Sequence, residues 1–484
     1  MRVEGVTQYP ATDIRALYAG LLGKTISVAD AFKVANDIEL RYRNDGFVTT
    51  RVIVPEQTID GGVFRIRVVE GYISDVKYDD DIGPAQAAIE KLVQRLRGVR
   101  PINVAEVERQ LLLANDLAGM TVRASLEASP KEVGGSTLVV HSERKPFDAS
   151  IGFDNRGSPY LGWGEALAQL SLNSFGPNAD RLTVTGRLGT PAYRSKAASV
   201  GYDMLATSSG LTLGATASYA KSRPGRELAD LNVASDVESY AATASYPLIR
   251  SRLQNLRAVG QFEVRNVTTD ITDTPFTRDK LRVLRMGLSY DRTDSWNGIT
   301  ALRGTFHKGI DGLGASKEGN ELASRVKGRP DFFKFTAELT RLQQLTDRAS
   351  LVATFAGQYS ASPLLASEEF ALGGPSFARG YDDGEISADS GVSGSLELRY
   401  AVSSESFLPH GAHVYSFIDG GRLWSRSESP ELARAKLSSY GAGMRANLTK
   451  NLYATLEVAK PMSSDVLTQG DKNPRVFFSI SAQY

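Results

Sequence analysis

The sequence predicts two small α+β domains followed by a transmembrane antiparallel β-barrel of about 16 strands. Three observations predict this fold class. Helical and strand periodicities are mixed up to about residue 145, and alternating segments replace them after it. Long and short connections between those segments alternate along the chain. No stretch approaches the roughly 18 consecutive apolar residues of a membrane helix, but a barrel needs none because only alternate residues face lipid.

Composition narrows the classes of function. The chain has 484 residues, a net charge of +1 and no cysteine. That charge gives no reason to expect a nucleic-acid partner, and the lack of cysteine excludes disulfides, thiolate metal sites and a thiol nucleophile. Residues Met1–Gly5 lack the apolar region of a signal peptide. If the barrel interpretation is right, we expect an export signal outside this sequence.

The first domain is predicted over residues 1–71 in the order strand, helix, helix, strand, strand. The second helix opens at Ser27, with Asp30 three residues on in an N-cap pattern. Its apolar positions at helical spacing are Val28, Phe32, Ala35 and Ile38. The predicted elements are a strand over Arg2–Val6, helices over Asp13–Leu22 and from Ser27 to Asn44-Asp45-Gly46, and strands over Val48–Val54 and Val63–Val69 around a Pro55–Gly62 turn.

The second domain, predicted over residues 72–145, repeats the same order and so indicates an internal repeat. Its predicted elements are a strand over Tyr72–Tyr78, helices over Pro84–Leu96 and from Asn103, and strands over Thr121–Glu127 and Thr137–Ser142. Each domain is long enough to bury one modest core.

The barrel is predicted over residues 146–484. Apolar and polar residues alternate in its segments, as in the last one, where Val476, Phe478, Ile480, Ala482 and Tyr484 share a face. The approximate starts of the segments are Phe147, Gly164, Arg181, Ser195, Leu211, Glu238, Asn255, Leu281, Ile299, Phe333, Ser350, Ser393, Ala412, Leu437, Leu452 and Arg475.

The connections favour a barrel over a soluble β-sandwich. Long ones, at Lys221–Val237, Gly309–Asp331 and Trp424–Lys436, alternate with short ones, at Ser174–Asp180, Thr346–Ala349 and Thr449–Asn451. Outer-membrane barrels have long external loops and short periplasmic turns. Ser403–Gly411 is an exception, longer than a tight turn. A barrel of this size encloses an aqueous lumen, so the sequence predicts a pore.

Two motifs resemble a known superfamily. The run Leu372–Tyr381 ends in Ala-Arg-Gly-Tyr, and Phe417-Ile418-Asp419-Gly420-Gly421 follows about 40 residues on. Both resemble the signature of the POTRA-plus-barrel transporters of the outer-membrane assembly superfamily. The stretches Asp45-Gly46-Phe47, Val54-Pro55-Glu56-Gln57, Val69-Glu70-Gly71 and Asp154-Asn155-Arg156-Gly157-Ser158 are similar to its two-partner secretion members. The resemblance implies periplasmic POTRA domains and export of a partner polypeptide.

The resemblance also implies a site in the lumen. A long loop near residues 359–392 folds back into the pore and carries the tip residues Arg379, Gly380 and Tyr381. Parity places Asp419 on the same strand face as Phe417, opposite Ile418, so it points into the lumen with Gly421. We expect Arg379 and Asp419 to form a bidentate pair that holds the loop. Without the resemblance, Arg379 would read as a solvated surface arginine and Asp419 as a turn former.

Two further surfaces are candidates for partners. Val48, Thr49, Thr50, Arg51 and Val52 form a possible sheet edge for strand addition by a partner segment, or an edge merely protected by its arginine and threonines. The resemblance implies that the aromatic end, Phe478 and Tyr484, is recognised by the barrel-assembly machinery; chance is the alternative. Outer-membrane lipid is expected around the barrel.

No enzyme chemistry, cofactor or metal site is expected. The four histidines, at positions 141, 307, 410 and 413, have no metal-ligand spacing. Residues 312–319 lack the Gly-Lys-Ser/Thr ending of a nucleotide loop. The sequence therefore predicts a transporter of an unfolded exoprotein bearing an N-terminal secretion domain. A barrel-assembly insertase, an outer-membrane enzyme and a passive porin are the alternatives.

Overall fold

The structure, a computed structural model, describes residues 1–59, 61–190, 194–404, 408–426 and 434–484. These residues divide into two compact units. One comprises Met1–Pro146 with the short segments Ser174–Asp180 and Leu205–Gly210, and the other comprises the rest.

The first domain is a small sheet with strand order β1-β3-β2, packed against helices. Its elements are β1 (Arg2–Glu4), α1 (Ala11–Ala16), α2 (Val28–Asn44), β2 (Arg51–Ile53) and β3 (Arg65–Val69). Ser27 and Asp30 form the capping box that begins α2. Ile38, Tyr42 and Ile66 are fully buried at the centre of the core.

Three predicted details of this domain are wrong. The predicted apolar face of α2 is wrong at its beginning: Ala35 and Ile38 are buried as predicted, but Val28 and Phe32 are 57% and 56% exposed, and Ala31 and Val34 pack in the core instead. The strand predicted over Val48–Val54 is only β2, since a turn follows α2 and occupies residues 48–49. The helix predicted over Asp13–Leu22 ends early and is followed by a 3₁₀ turn at Ala19–Leu21. The end of the predicted Pro55–Gly62 turn includes residue 60, which lies outside the described residues.

Glu70, at the end of β3, is a buried carboxylate held by the start of the chain and by α2. Tyr42 Oη donates to its Oε1 over 2.6 Å, and the amides of Thr7 and Gln8 donate over 2.8 and 3.1 Å. Burial by itself would raise the pKa of Glu70, but hydrogen bonds from Thr7 and Tyr42 outweigh it and lower that pKa. The pKa of the Tyr42 hydroxyl is raised by burial and by its bond to Glu70.

The second domain has the same order of elements, with sheet order β4-β6-β5. Its elements are β4 (Tyr72–Tyr78), α3 (Gln86–Val93), α4 (Val104–Asn115), β5 (Met120–Ala128) and β6 (Gly135–Arg144). The predicted Pro84–Leu96 helix is α3 flanked by 3₁₀ turns. Asn103 caps α4 and donates through Nδ2 to Asp45 O over 2.9 Å, which ties the two domains together beside Gly46.

The second unit is a β-barrel that closes on itself; within the described residues it contains sixteen strands, which confirms the predicted architecture. Its first eleven strands are β7 (Phe147–Asp154), β8 (Gly164–Asn173), β9 (Arg181–Thr190), β10 (Ser195–Leu205), β11 (Thr212–Ser222), β12 (Ala234–Arg250), β13 (Gln254–Ile271), β14 (Thr274–Thr293), β15 (Gly298–Gly309), β16 (Phe333–Gln344) and β17 (Ala349–Ser360). A loop with a short hairpin, β18 (Phe370–Leu372) and β19 (Ile386–Ala388), precedes β20 (Ser390–Ser404), β21 (Leu408–Trp424), β22 (Arg434–Asn447), β23 (Leu452–Pro461) and β24 (Arg475–Gln483).

Side chains alternate along each strand between an apolar outer face and a polar lumen. In β21, Val414 and Ile418 are exposed on the outside, whereas Tyr415, Phe417 and Asp419 are buried on the inside. No helix among the described residues is both long enough and apolar enough to cross a membrane. The barrel closes where β24 pairs with β7, over the short register Ser479–Gln483 against Ser150–Asp154.

Two predicted connections need comment. Parts of Trp424–Lys436 and Ser403–Gly411 lie outside the described residues. On the side of the long loops, β13 and β14 meet instead in a tight turn, where Thr272 and Asp273 both have positive φ. The β13–β14 hairpin is long because the alternation of inward and outward side chains continues on both sides of the turn.

The loop 310–332 covers the upper edge of β14, which β15 leaves unpaired before Val283. Ile310 N donates to Arg282 O over 2.8 Å, Ser316 N to Lys280 O over 2.9 Å, and Arg278 N to Leu322 O over 2.6 Å. The loop thus supplies the backbone hydrogen bonds that a neighbouring strand would otherwise make.

Candidate functional site

The loop between β17 and β20, residues 361–389, carries the predicted tip and contacts the inner wall. Arg379 is only 4% exposed. Its Nε lies 2.8 Å from Asp419 Oδ2, and its backbone amide donates to Asp419 Oδ1 over 3.3 Å. The guanidinium therefore gives Asp419 one nitrogen, not the two of the predicted bidentate pair. We call Arg379 and the wall residues that bind it the tip latch.

The rest of the guanidinium is shared with other wall residues. Arg379 Nη1 lies 2.7 Å from Glu397 Oε2 and 3.3 Å from Glu457 Oε2. Its Cζ lies 3.4 Å from the centre of the Phe417 ring, a cation–π contact. In the described chain, one arginine thus binds three carboxylates on β20, β21 and β23.

Further cations balance these carboxylates. Arg445 Nη1 and Arg399 Nε each lie 2.7 Å from Glu397 Oε1, and Arg156 binds Glu457. Tyr415 Oη donates to Glu457 Oε2 over 2.8 Å. Because buried ion pairs hold only when each charge is compensated, the latch acts as a network and not as one bond.

Gly380 and Tyr381 fix the position of the tip. A Cβ on Gly380 would lie 2.8 Å from the backbone nitrogen of Pro461, so glycine is needed for close approach. Gly380 does not have a positive φ, so close approach and not backbone conformation is what requires glycine here. Tyr381 is buried, and its hydroxyl donates to Ser464 O over 3.0 Å. Gly421 likewise lets β20 approach, because a Cβ there would meet Val392 O at 2.5 Å.

The structure thus brings Arg379, Phe417 and Asp419 together. Other predicted residues lie elsewhere. Val48, Thr49 and Thr50 precede β2, and Arg51 and Val52 lie in it. Phe478 and Tyr484 are on the outer face, and Tyr484 stacks on Phe147 with ring centres 5.4 Å apart.

Sequence reasoning missed the second and third carboxylates of the tip latch. Glu397 and Glu457 were both on strand faces that alternate with apolar residues, so parity was the signal that could have found them. Among the described residues, no group of histidine and acidic side chains could hold a metal ion.

A closed barrel with α+β domains ahead of it and an arginine loop bound inside it defines an outer-membrane protein transporter. The family of haemolysin secretion/activation proteins ShlB/FhaC/HecB matches residues 134–446, and the ShlB-type POTRA domain matches residues 1–71. The chain belongs to the haemolysin secretion/activation family. It is therefore a two-partner secretion transporter of the Gram-negative outer membrane, with POTRA domains in the periplasm, that carries an unfolded exoprotein through its pore.

The chain is also similar to individual transporters and to solved structures. The heme/hemopexin transporter protein HuxB of Haemophilus influenzae (strain 86-028NP) is 25% identical over 465 residues, which cover 92% of this chain and 80% of HuxB. The structure of CdiB from Escherichia coli superposes with a TM-score of 0.83 at 20% identity, covering 100% of this chain and 89% of CdiB. BamA from Haemophilus ducreyi reaches a TM-score of 0.60 at 12% identity, covering 100% of this chain and 99% of the BamA chain. Likeness to the two solved structures concerns the fold alone.

Proposed function

We propose that the loop 361–389 is the gate of the pore, and that an exoprotein passes only after Arg379 leaves its carboxylates. The observation that carries this proposal is the sharing of one buried guanidinium among Asp419, Glu397 and Glu457. Such a network is costly to break by losing one partner, yet it holds the loop only at its tip. The tip latch is therefore strong when complete and, once released, no longer holds the tip of the loop against the wall.

We further propose that β2 of the first POTRA domain binds an extended segment of the exoprotein's N-terminal secretion domain. β2 is an edge strand, paired on one side only with β3. Ile53 is 44% exposed, and Val28 and Phe32 of α2 add exposed apolar surface in the same domain. Strand addition uses backbone hydrogen bonds and so demands little of the partner's sequence, which suits an unfolded polypeptide.

The edge of β2 is already occupied in part. The amide of Val52 donates to Glu39 Oε2 over 3.0 Å, and Arg51 Nη1 donates to the carbonyls of Val48 and Thr50 over 3.2 and 3.1 Å. These side chains protect the edge from unwanted pairing, as charged residues do on many edge strands. An incoming strand has to displace Glu39 to reach the Val52 amide.

We also propose that the barrel contacts outer-membrane lipid and is recognised by the barrel-assembly machinery. Exposed apolar residues on the outer face, such as Leu288 and Ile418, suit contact with outer-membrane lipid. The exposed aromatic residues Phe478, in β24, and Tyr484, which follows that strand, suit recognition by the barrel-assembly machinery. We propose no enzymatic activity and no cofactor for the chain.

The test is secretion of the exoprotein encoded beside this chain, with an export signal fused to the transporter. Arg379→Ala is compared with Arg303→Ala, which removes an exposed lumenal arginine of β15 on the face of His307. We expect secretion to drop in Arg379→Ala and to persist in Arg303→Ala, at equal amounts of folded barrel, because we propose that the loop has to be latched in place before an exoprotein can engage and release it. Equal secretion by both variants would refute the gate. Misassembly of other barrels on depletion, with no exoprotein outside, would favour the insertase.

A further inference from the structure

The loop 361–389 has a second attachment to the wall, eleven residues before Arg379 along the chain, at Glu368. We propose that Glu368 is a positioning residue that anchors this limb of the loop independently of the tip latch. The pore then conducts only when both attachments open. We call Glu368 and the wall residues that bind it the stem anchor. The proposal rests on the proposed gate and adds to it a residue outside the motifs that predicted the tip.

The carboxylate of Glu368 contacts cations from three strands, with Arg265 of β13 the most distant at 3.7 Å. Arg285 Nη2 of β14 lies 2.7 Å from its Oε1, and Lys334 Nζ of β16 lies 2.8 Å from its Oε2. The backbone carbonyl of Glu368 also accepts hydrogen bonds, from Lys334 Nζ over 2.7 Å and from Gln358 Nε2 over 3.0 Å. Side chain and backbone of one loop residue are thus both held by the wall.

Burial and charge make this attachment strong. Glu368 is 2% exposed and Lys334 is 5% exposed. Glu263 Oε1 lies 2.6 Å from Arg265 Nη2, and Glu263 Oε2 lies 2.7 Å from Arg285 Nη2. Without Glu368, Arg265 and Arg285 would keep only Glu263, and Lys334 would lose the carboxylate it binds. A buried charge that loses its partner is strongly unfavourable.

An apolar contact supports the same limb. Leu364 and Leu365 of the loop are buried against Leu281 and Val283 of β14 and against Phe332. These contacts pack the beginning of the loop against the wall, so the Glu368 carboxylate belongs to a segment that is already held in place.

The two attachments use different walls. The stem anchor lies on β13, β14, β16 and β17, whereas the tip latch lies on β20, β21 and β23. Within the described residues, the wall side chains that bind Glu368 are distinct from those that bind Arg379. Because the two contact sets are separate and both must break, the effects of weakening each on the opening equilibrium should multiply.

The experiment measures the fraction of time that the purified full chain conducts ions in a planar lipid bilayer. Five proteins are compared: the unchanged chain, Glu368→Gln, Arg379→Ala, the double variant and the control Glu338→Gln. Glu338 is a lumenal carboxylate of β16, exposed and on the same face as Lys334. The folded fraction is measured separately by heat-dependent migration in electrophoresis, because a merely structural role would change that fraction and not the conductance of each folded channel.

We expect Glu368→Gln to raise the open-to-closed ratio about tenfold, the loss of one charge-assisted bond, and Glu338→Gln to leave it unchanged. The double variant should show the product of the two single effects. A double variant no more open than Arg379→Ala, or Glu368→Gln equal to Glu338→Gln, would overturn the anchor.

If Glu368→Gln folds poorly, Lys334→Gln tests the same contact from the wall and should open the pore similarly. The five proteins also separate failure of the anchor from failure of the gate. If Arg379→Ala raises the open fraction and Glu368→Gln does not, the anchor is contradicted and the proposed function stands. No effect of Arg379→Ala contradicts the gate itself.

Discussion

Arg379 lies as close to Glu397 as to Asp419, with nitrogen–oxygen distances of 2.7 and 2.8 Å. The two carboxylates sit on adjacent strands, β20 and β21, and the arginine binds both from the loop. A loop held in this way has no single partner on which its position depends.

Removing one carboxylate should therefore release the tip less than removing the arginine. In Asp419→Asn, the guanidinium keeps Glu397 and Glu457, so we expect secretion to fall by about threefold, against about tenfold or more for Arg379→Ala. Arg379→Lys should resemble the alanine variant, because a point charge cannot serve several carboxylates as a planar fork does. Quantifying secreted exoprotein per folded barrel checks the order; an Asp419→Asn defect equal to that of Arg379→Ala would show that the other carboxylates contribute nothing.

Gly380→Ala should displace the tip without changing any charge. The new Cβ would lie 2.8 Å from Pro461 N and 3.1 Å from Lys460 C, which are backbone atoms of the wall and cannot move aside. We expect a higher channel open fraction and faster cleavage of the loop by external protease. Gly312→Ala is the control, since its nearest neighbour would be a side-chain atom of Ile310 at 3.8 Å. Equal cleavage of the two variants would contradict close approach as the role of Gly380.

Glu39→Ala should strengthen binding of the exoprotein's N-terminal domain to the full chain. The variant frees the outward amide of Val52, which now donates to Glu39 Oε2 over 3.0 Å. We expect a dissociation constant lowered by about threefold, measured by surface plasmon resonance on protein in lipid nanodiscs, since one exchanged hydrogen bond is worth about 0.5–1.5 kcal/mol. Asp37→Ala, in the same helix, controls for the lost negative charge. Unchanged or weaker binding in Glu39→Ala alone would place the contact away from this edge.

Glu70→Gln should destabilise the first POTRA domain at neutral pH by about 1–2 kcal/mol, because a charged acceptor of several hydrogen bonds is lost. Hydrogen bonds lower the pKa of Glu70 in the folded state against the opposing effect of burial. Its ionised form therefore stabilises the fold above the ordinary glutamate pKa of about 4.3. That contribution disappears as pH falls through the folded pKa.

Amide hydrogen exchange in β3, corrected for its intrinsic pH dependence, measures this difference between Glu70→Gln and the unchanged chain. The two proteins should converge at acid pH and separate towards pH 7. A constant difference across the range would mean that the ionisation of Glu70 has no part in stability.

The barrel was predictable because its pattern is local. Alternation gives each strand its two faces, and turn residues give its ends, so the starts at Phe147, Gly164 and Arg181 match β7, β8 and β9. The short helices were less predictable. The face of α2 was misplaced because Val28 and Phe32 fit the helical spacing as well as Ala31 and Val34 do, and only packing separates them.

The tip of the loop was predictable in part, from a motif, but the rest of its binding was not. Glu368 and Lys334 are 34 residues apart in sequence, and nothing local relates a carboxylate in a loop to a lysine in a strand. Parity shows that Glu397 faces the lumen, yet it cannot show which of several arginines reaches it. Such contacts depend on how a closed sheet and a returning loop meet in space.

The hydrogen bonds between loop 310–332 and β14 also affect how neighbouring molecules in the membrane can contact one another. A bare strand of this length would offer a row of unpaired amides and carbonyls to the same strand of the next molecule. The exposed edges of neighbouring copies would then pair with each other as β-strands. By taking those hydrogen bonds itself, loop 310–332 closes this edge of β14 to pairing with a strand of a neighbouring molecule.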